Sequence, residues 1–317
     1  MSGTPFDAEM RQYLEDEAAS GEPWDPSWPL ARQREAWEAQ CRRARARRSA
    51  RLMVEDLEAD GIALRIFRPP GEEPKPGVLY AHGGGWTMGS RETHDDICAE
   101  LAEEADVVVV CFDYRLAPEH RHPAQVEDAL TVLEWMRSSG RAIGLDPTHI
   151  IAAGDSAGGQ VAAGLALALK RQGAMPLRGL VLINPALGAD LETDSYRTHA
   201  AAPGLTRAEM ADCLAALLGP PGSASWRDPL ALPNLAEDAA GLPPTFITVA
   251  GHDPLHDDGV IFHAKLRAAG VPATLREEAA LAHSYWRARH ASRGAMAGFR
   301  AIVAAVRHLG HEGLLPA

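Results

Sequence analysis

One stretch of the chain, residues 149–159, constrains the fold more than any other. An apolar run over 149–153 leads into a Gly-x-Ser-x-Gly pattern at 154–158, and a helical pattern of small residues follows. This order predicts a strand, a very tight turn and a helix, with Ser156 at the apex. Gly154 and Gly158 are expected there because any Cβ would collide with a neighbouring strand or helix. A loop serine that happens to lie between two glycines is the simpler alternative, and the pattern alone does not exclude it.

Strand and helix patterns alternate through the middle of the chain, which predicts a mostly parallel, doubly wound α/β sheet flanked by helices. The first two strands form an antiparallel hairpin with Asp60-Gly61 as its turn. The unbroken apolar run at 107–112 suits the buried centre of a parallel sheet. Strands are predicted at 54–58, 62–68, 77–82, 107–112, 149–153, 179–184, 245–250 and 273–277, and helices near 93–105, 124–138, 160–172 and 292–309.

An N-terminal arm, residues 1–52, precedes the predicted α/β domain, residues 53–317. Its first helix is expected to start with Pro5 at the first helical position, and a loop rich in Pro and Trp follows at 23–29. A second helix is predicted from about Leu30 to Ala50, with Leu30, Trp37 and Cys41 facing inward. Because the arm comes before the first strands, we expect it to lie across the core as part of a lid.

A second segment, at about 186–240, interrupts the alternation after the sixth strand. Thr206 and Glu209 form a capping box that predicts a helix, with Met210, Leu214 and Leu217 along one side. An insertion that leaves the carboxyl end of a sheet strand lies above the ligand crevice. We therefore expect this segment to complete the lid beside the arm.

Composition excludes several classes of partner. The net charge of −12 argues against general affinity for nucleic acid or anionic membranes. No apolar run is long enough to cross a bilayer, and Met1 to Met10 lacks the features of a secretory signal. The four cysteines lack metal-ligand or redox spacing and are expected to be buried thiols in the cytoplasm.

One strongly basic run stands out in this acidic chain. It consists of Arg42, Arg43, Arg45, Arg47, Arg48 and Arg51. A nucleic-acid or phosphate site is one interpretation. The net negative charge of the whole chain favours the other interpretation, a solvated helix face that pairs with surface carboxylates.

A serine hydroxyl needs a base to remove its proton and a carboxylate to orient that base. In a strand-turn-helix arrangement of this kind, the acid and the histidine follow later strands in the order Ser, Asp, His. Asp253 follows the strand at 245–250, and His283 follows the last strand. Asp253 as a helix cap and His283 as an ordinary loop histidine are the alternatives.

Other acids and histidines compete for these roles. The competitors are His252, His256, Asp257 and Asp258. The pair His252 and His256 with its neighbouring aspartates resembles a metal site only superficially, because Pro254 breaks the helix that would bring both rings to one face. We therefore expect no metal.

A tetrahedral oxyanion needs preorganised N–H donors. Three consecutive glycines follow His82, and their amides can approach a substrate carbonyl that any side chain would block. Gly83, Gly84 and the Ala157 amide at the positive end of the serine helix are the predicted donors, each worth ~3 kcal/mol in the transition state. His82 is expected to brace the loop by a hydrogen bond rather than to transfer protons. Glycine triplets also occur in flexible turns.

Four ordered motifs together resemble the hormone-sensitive lipase family, in its bacterial GDSAG branch, of α/β-hydrolase carboxylesterases. They are His82-Gly83-Gly84-Gly85-Trp86, Asp113-Tyr114-Arg115-Leu116-Ala117-Pro118-Glu119-His120, Gly154-Asp155-Ser156-Ala157-Gly158-Gly159 and Asp253-Pro254-Leu255-His256-Asp257. The resemblance runs from about Ile62 to the C-terminus. It implies an α/β-hydrolase fold and a carboxylesterase with Ser156 as nucleophile, His283 as base, Asp253 as orienting acid, and Gly83, Gly84 and Ala157 as oxyanion hole.

The chain departs from this family after the histidine, where His-Gly-Phe is common and Ser284 and Tyr285 stand here. We expect the change to affect the loop or the acyl pocket rather than catalysis. Residues 113–120 are interpreted as a rigid structural bend, with substrate contact by Tyr114 or Arg115 as the alternative.

The predicted activity is hydrolysis of short- to medium-chain acyl esters through an acyl-enzyme, without a cofactor. An amidase, lactonase or thioesterase with the same triad, and a non-catalytic small-molecule receptor on the same fold, are the alternatives. Members of the family that the chain resembles often pair through the edge strand next to the last helix, which makes a homodimer the oligomer to test. Candidate walls of the pocket, each also explained as lid core, are Trp24, Trp86, Leu205, Met210 and Leu214.

Overall fold

The computed structural model describes residues 4–20, 24, 25 and 27–316. Residues 23 and 26 of the predicted Pro- and Trp-rich loop, and the first three residues of the arm, lie outside this part of the chain. The described residues form a sheet whose strands are β1 (Met53–Ala59), β2 (Ile62–Arg68), β3 (Lys75–Ala81), β4 (Val108–Phe112), β5 (Leu145–Asp155), β6 (Leu177–Ile183), β7 (Thr245–His252) and β8 (Ala273–Ala282).

The sheet is mixed, but most of its pairs are parallel. Within the described residues its eight strands run in the order β1-β2-β4-β3-β5-β6-β7-β8. Among the pairs of these described strands, only β1 with β2 and β2 with β4 are antiparallel. Asp60 and Gly61 have φ values of 48° and 84°, as the predicted tight hairpin turn requires. The predicted α/β-hydrolase architecture is therefore confirmed.

Helices cover both faces of the sheet. In the described residues they are α1 (Ala8–Ala19), α2 (Leu30–Ala44), α3 (Asp95–Ala105), α4 (Ala124–Ser139), α5 (Ala157–Arg171), α6 (Asp194–Thr198), α7 (Arg207–Leu218), α8 (His256–Ala268) and α9 (Arg293–His311). Helices α4, α5, α7 and α8 contribute to one core, and α3 and α9 to the other. Successive residues of β4 point alternately into the two cores, so its unbroken apolar run is explained by burial on both faces.

The arm differs from its prediction at two helix ends. Helix α1 begins at Ala8 rather than at Pro5, because the Asp7 carboxylate caps it by accepting from Met10 N at 2.7 Å. Helix α2 ends at Ala44 rather than near Ala50, and Arg45 leaves the helix with a ψ of 123°.

Three arginines of the basic run pair with carboxylates, and one of them, Arg42, lies 2.6 Å from Glu38 on α2. Arg45 lies 2.7 Å from Glu92 and 3.3 Å from Asp95, and Arg48 also lies 3.3 Å from Asp95. Pairing with carboxylates is thus confirmed for these three arginines. Arg45 and Arg48 lie beyond the helix rather than on its solvated face, and Asp95 is fully buried.

The insertion after β6 has the predicted helix. Thr206 and Glu209 form both bonds of the capping box at the start of α7, and Met210, Leu214 and Leu217 are all buried. Helix α6 and the 3₁₀ turns at 224–227 and 233–235 complete the insertion. Among the described helices, none is long and apolar enough to span a membrane.

Candidate active site

The turn between β5 and α5 holds Ser156 in a strained conformation. Its φ and ψ are 55° and −120°, in a region that L-residues rarely occupy. A Cβ at Gly154 would lie 2.3 Å from the Gly158 carbonyl oxygen, and one at Gly158 would lie 2.0 Å from the carbonyl oxygen of Ala81. The sharp turn therefore requires glycine at both positions, as the pattern predicted.

Ser156, His283 and Asp253 form one hydrogen-bonded chain. His283 Nε2 lies 3.0 Å from Ser156 Oγ, and His283 Nδ1 lies 2.7 Å from Asp253 Oδ2. An N–H on Nδ1 donates to the carboxylate, which leaves Nε2 to accept from the serine hydroxyl. The three side chains come from the carboxyl ends of β5, β7 and β8, because parallel strands end at the same edge of the sheet.

The glycine loop after β3 lies beside the serine, but one predicted donor is already engaged. Gly83 N donates to Asp155 Oδ1 at 3.2 Å and lies 3.3 Å from His94 Nε2, so it does not face the serine pocket as a free donor. Assigning Gly83 to the oxyanion hole was therefore wrong. The amides of Gly84, Gly85 and Ala157 have no acceptor among the described residues, and both glycines line the cavity with Ser156.

Asp155 anchors the glycine loop from below. Its carboxylate accepts from Tyr80 Oη at 2.8 Å and lies 3.1 Å from His94 Nε2. Burial opposes its ionisation, but the charge and hydrogen bond of His94 hold the pKa of Asp155 at about 2. The pattern identified Asp155 as part of a motif but did not reveal this anchoring role.

His82 braces the loop, as expected. Its Nδ1 lies 2.9 Å from the Gly83 carbonyl oxygen, and its ring stacks on Tyr114 at 4.2 Å. Burial lowers the pKa of His82 to about 3, so the ring is neutral at neutral pH. Tyr114 donates to the His82 carbonyl and Arg115 pairs with Asp128, which supports a structural role for the bend at 113–120.

A cavity of about 610 Å³ opens above Ser156. The arm contributes Tyr13, Trp24, Trp37 and Cys41 to its walls, and the insertion contributes Leu205, Met210 and Cys213. Trp24, Leu205 and Met210 thus lie where the sequence predicted. The size is that of a small-molecule pocket.

Two predicted pocket residues lie elsewhere. Trp86 is 1% exposed and donates its indole N–H to Gln160 Oε1 at 2.8 Å, so it packs in the core beneath the loop. Leu214 is also 1% exposed and packs in the core one turn after Met210, which reaches the cavity. Both predictions were therefore wrong.

The cysteines also depart from expectation. All four are free thiols, but only Cys98 and Cys111 are fully buried. Cys41 and Cys213 are partly exposed and line the cavity. Burial raises the pKa of the Cys213 thiol to about 12, so it remains a neutral thiol in the pocket wall.

Arg287 connects the histidine loop to the arm and to α3. It donates to the Thr93 carbonyl at 3.1 Å, lies 3.1 Å from His94 Nε2, and lies over the Trp37 ring. Sequence reasoning missed it, because nothing in the pattern brings residue 287 close to residues 37 and 94. In the same loop Ser284 has a φ of 62°, which is a left-handed conformation. Glycine adopts this conformation readily, and glycine is common at this position in the family that the motifs resemble.

The competing residues take other positions. His252 Nε2 lies 3.0 Å from the Thr4 carbonyl, and His256 Nδ1 lies 3.0 Å from Asp257 Oδ1. No group of three or more metal-ligating side chains suited to a metal ion occurs among the described residues. Asp258 lies near Asp253 and accepts from the backbone amides of Leu187 and Gly188 at 2.8 and 2.9 Å.

Asp258 predicts a pH dependence of stability. Burial raises the pKa of Asp258 to about 7, so between pH 4 and 7 the folded state holds a proton that the unfolded state has lost. The free energy of unfolding is therefore highest, as far as Asp258 is concerned, at about pH 4. It falls by roughly 4 kcal/mol at most as the pH rises through 7. Urea unfolding of wild type and Asp258→Asn at pH 5 and pH 8 measures it. The gain in stability of the variant over wild type should be larger at pH 8 than at pH 5, and equal differences at both pH values would contradict the prediction.

Comparison with known proteins identifies the class that this fold and site define. Residues 78–287 match the family model described as the alpha/beta hydrolase fold. The chain belongs to the α/β-hydrolase family, and within it to the hormone-sensitive lipase type that its motifs predicted.

Particular relatives lie within this class. The chain is 41% identical to Esterase LipI of Mycobacterium tuberculosis over 241 residues, which are 74% of this chain and 75% of the relative. It is 40% identical to Carboxylesterase NlhH of the same species over 227 residues, 71% of each chain. Among solved structures it is similar to a hyperthermophilic esterase from the archaeon Pyrobaculum calidifontis, with a TM-score of 0.87, 31% identity, and coverage of 96% of this chain and 99% of the other.

Proposed function

We propose that the protein is a serine carboxylesterase in which Ser156 attacks the ester carbonyl. The observation that carries the proposal is the chain Ser156 Oγ, His283 and Asp253, linked at 3.0 and 2.7 Å beside three unengaged amides. His283 Nε2 takes the serine proton as the C–O bond forms, and Asp253 stabilises the resulting imidazolium. His283 then gives the proton to the leaving alcohol.

Deacylation repeats these steps with water. His283 removes a proton from water, the hydroxide adds to the acyl carbonyl, and Ser156 leaves with the proton. The negative oxygen in both steps lies within reach of the Gly84, Gly85 and Ala157 amides, which we propose as the oxyanion hole. Ala157 N–H also lies at the positive end of α5, which favours an anion.

We propose a lid formed by the arm, residues 1–52, and the insertion at about 186–240. The oxyanion loop supports this, because a Cβ at Gly84 would lie 2.9 Å from Trp37 of the arm and one at Gly85 would lie 2.4 Å from Cys213 Sγ of the insertion. Both segments thus contact the loop from above. A cavity of about 610 Å³ closed in this way suits short- to medium-chain acyl esters.

Labelling by a fluorophosphonate probe tests the nucleophile. Wild type should gain one covalent adduct that maps by mass spectrometry to Ser156, because only an activated serine reacts rapidly. His283→Ala, which removes the base and leaves Ser156 in place, should label far more slowly and serves as the matched control. Equal labelling of both proteins, or labelling of another residue, would refute the assignment.

A leaving-group panel separates the enzymatic alternatives. Esters, thioesters, lactones and anilides with one acyl group share a tetrahedral transition state, so the same triad could process any of them. We expect kcat/KM to be highest for the esters. A higher value for another class would replace the ester assignment and leave the triad intact.

We further propose a cytoplasmic location and a homodimer. Four free thiols are typical of a reducing compartment, and β8 lies at an edge of the sheet where a second copy can pair. Sedimentation velocity at micromolar concentration tests the dimer, and cell fractionation tests the location. A monomer throughout, or activity outside the cytoplasmic fraction, would contradict the respective proposal.

A further inference from the structure

Asn184 is a fully buried residue that directly follows β6. Its φ of 43° is left-handed, which asparagine tolerates better than most residues. Its backbone N–H donates to the Thr248 carbonyl at 2.9 Å, and its Oδ1 lies 3.4 Å from Thr248 Oγ1. Contacts with β7 therefore fix the direction of its side-chain N–H groups.

Those N–H groups point at the orienting acid. Asn184 Nδ2 donates at 2.9 Å to Asp253 Oδ2, the same oxygen that lies 2.7 Å from His283 Nδ1. The other oxygen, Oδ1, accepts from Leu255 N at 2.9 Å. Since Asp253 is fully buried, these three donors replace water around its carboxylate. Asn184 supplies the one side-chain donor that is not itself a proposed catalytic group.

The same end of β6 also supports the serine. Ser156 N donates to the Ile183 carbonyl at 2.8 Å, and Ala186 N donates to the Ser156 carbonyl at 3.1 Å. Asn184 lies in sequence between Ile183 and Ala186, the two residues that bond to the backbone of Ser156. It therefore joins the backbone that holds the nucleophile to the side chain that orients the base.

We propose that Asn184 is a positioning residue for acyl transfer, acting through Asp253. The inference rests on the proposed function and adds a residue to its mechanism. Bonds to both oxygens hold the plane of the carboxylate, so that Oδ2 stays in line with His283 Nδ1. Asn184 Nδ2 and His283 Nδ1 bond to the same oxygen, Oδ2, so the two donors share its negative charge.

Other titratable groups surround Asp253 and His283 and must stay unchanged in the test. Those that act on the same site from α6, β7 and α8 are Tyr196, His199, His252, His256, Asp257 and Asp258. Trp286 packs its ring edge against His283 without a charge. None of them donates a hydrogen bond to Asp253 Oδ2, so a substitution at 184 isolates one contact.

Asn184→Gly removes the donor and keeps a residue that suits the positive φ. We expect kcat for a short-chain aryl ester to fall about 10- to 100-fold with KM little changed, as for a lost hydrogen bond to a charged group. The acidic limb of the kcat/KM profile should move to higher pH, because a carboxylate without the Asn184 hydrogen bond favours the imidazolium more strongly. A fall in kcat with the acidic limb unmoved would show only structural support and would overturn the proposal.

Asn184→Asp keeps size and backbone preference, so it remains informative if the glycine variant fails to fold. Two carboxyl groups about 3 Å apart share one proton, so the pH profile should gain a titration step that wild type lacks. Asn234→Gly is the matched control for Asn184→Gly, since Asn234 donates to the Asp258 carbonyl at 3.2 Å and does not contact Asp253. Its profile should keep the wild-type shape. An Asn184→Asp profile of wild-type shape would also overturn the proposal.

Failure of this proposal is distinguishable from failure of the proposed function. Fluorophosphonate labelling of wild type reports on the nucleophile whatever Asn184 does. The low-field proton resonance of His283 Nδ1–H reports on its bond to Asp253 without substrate, and it should shift in Asn184→Gly but not in Asn234→Gly. Wild-type labelling with an unshifted resonance would reject the role of Asn184 alone.

Discussion

Ser156→Ala is expected to lower kcat for a short-chain aryl ester by about 10⁶-fold while the protein stays folded. The hydroxyl is the proposed nucleophile, and without it neither His283 nor the amides can form an acyl-enzyme. Residual turnover of about 10³- to 10⁴-fold over water is expected from the oxyanion donors and binding alone. Steady-state kinetics on the purified variant measures the loss.

Ser138→Ala is the control for this substitution. Ser138 is exposed near the end of α4, and among the described residues its hydroxyl bonds only within that helix. Its kcat should equal that of wild type, and thermal unfolding of both variants should resemble wild type. Substantial turnover by Ser156→Ala, beyond the residual level, would remove the serine from the mechanism.

Gly158→Ala is expected to destabilise the fold at the serine turn. The new Cβ would lie 2.0 Å from the Ala81 carbonyl oxygen and 2.6 Å from that of His82, so β3 and α5 must separate. Overpacking of this kind costs about 1–3 kcal/mol or more, and activity should fall further because the glycine loop moves with β3. Urea unfolding and kcat/KM measure the two effects.

Gly294→Ala provides the comparison. Gly294 also lies in the first turn of a helix, α9, but a Cβ there would meet Leu281 at an ordinary 3.4 Å. We expect this variant to be neutral or more stable by up to about 1 kcal/mol, from helix propensity. Equal destabilisation by both substitutions would mean that close approach at the serine turn is not the cause.

Local patterns were sufficient where the signal is local. Gly154, Ser156 and Gly158 specified the strained turn, and the capping box at Thr206 specified the start of α7, because each depends on backbone sterics or bonds within a few residues. Asp253 and His283 could also be selected from sequence. Their order after successive strands places them at one edge of a parallel sheet.

Predictions failed where the environment of a group depends on residues that are distant in sequence. Gly83 and Gly84 are equivalent in sequence, and only the approach of Asp155 and His94 engages the first amide and leaves the second unengaged. Trp86 and Met210 are both plausible pocket walls. Trp86 lies in the core, where its indole N–H bonds to Gln160, whereas Met210 on α7 lines the cavity.

The sequence by itself determined the fold class, the serine turn and the order of the three reacting groups, because these follow from periodicity, sterics and strand direction. The tertiary structure alone decided which amides face the serine, which aromatic residues reach the cavity, and that Asn184 and Arg287 contact the site. Those contacts join residues up to about 250 positions apart, such as Arg287 and Cys41. Their geometry depends on how whole elements pack, which no local pattern encodes.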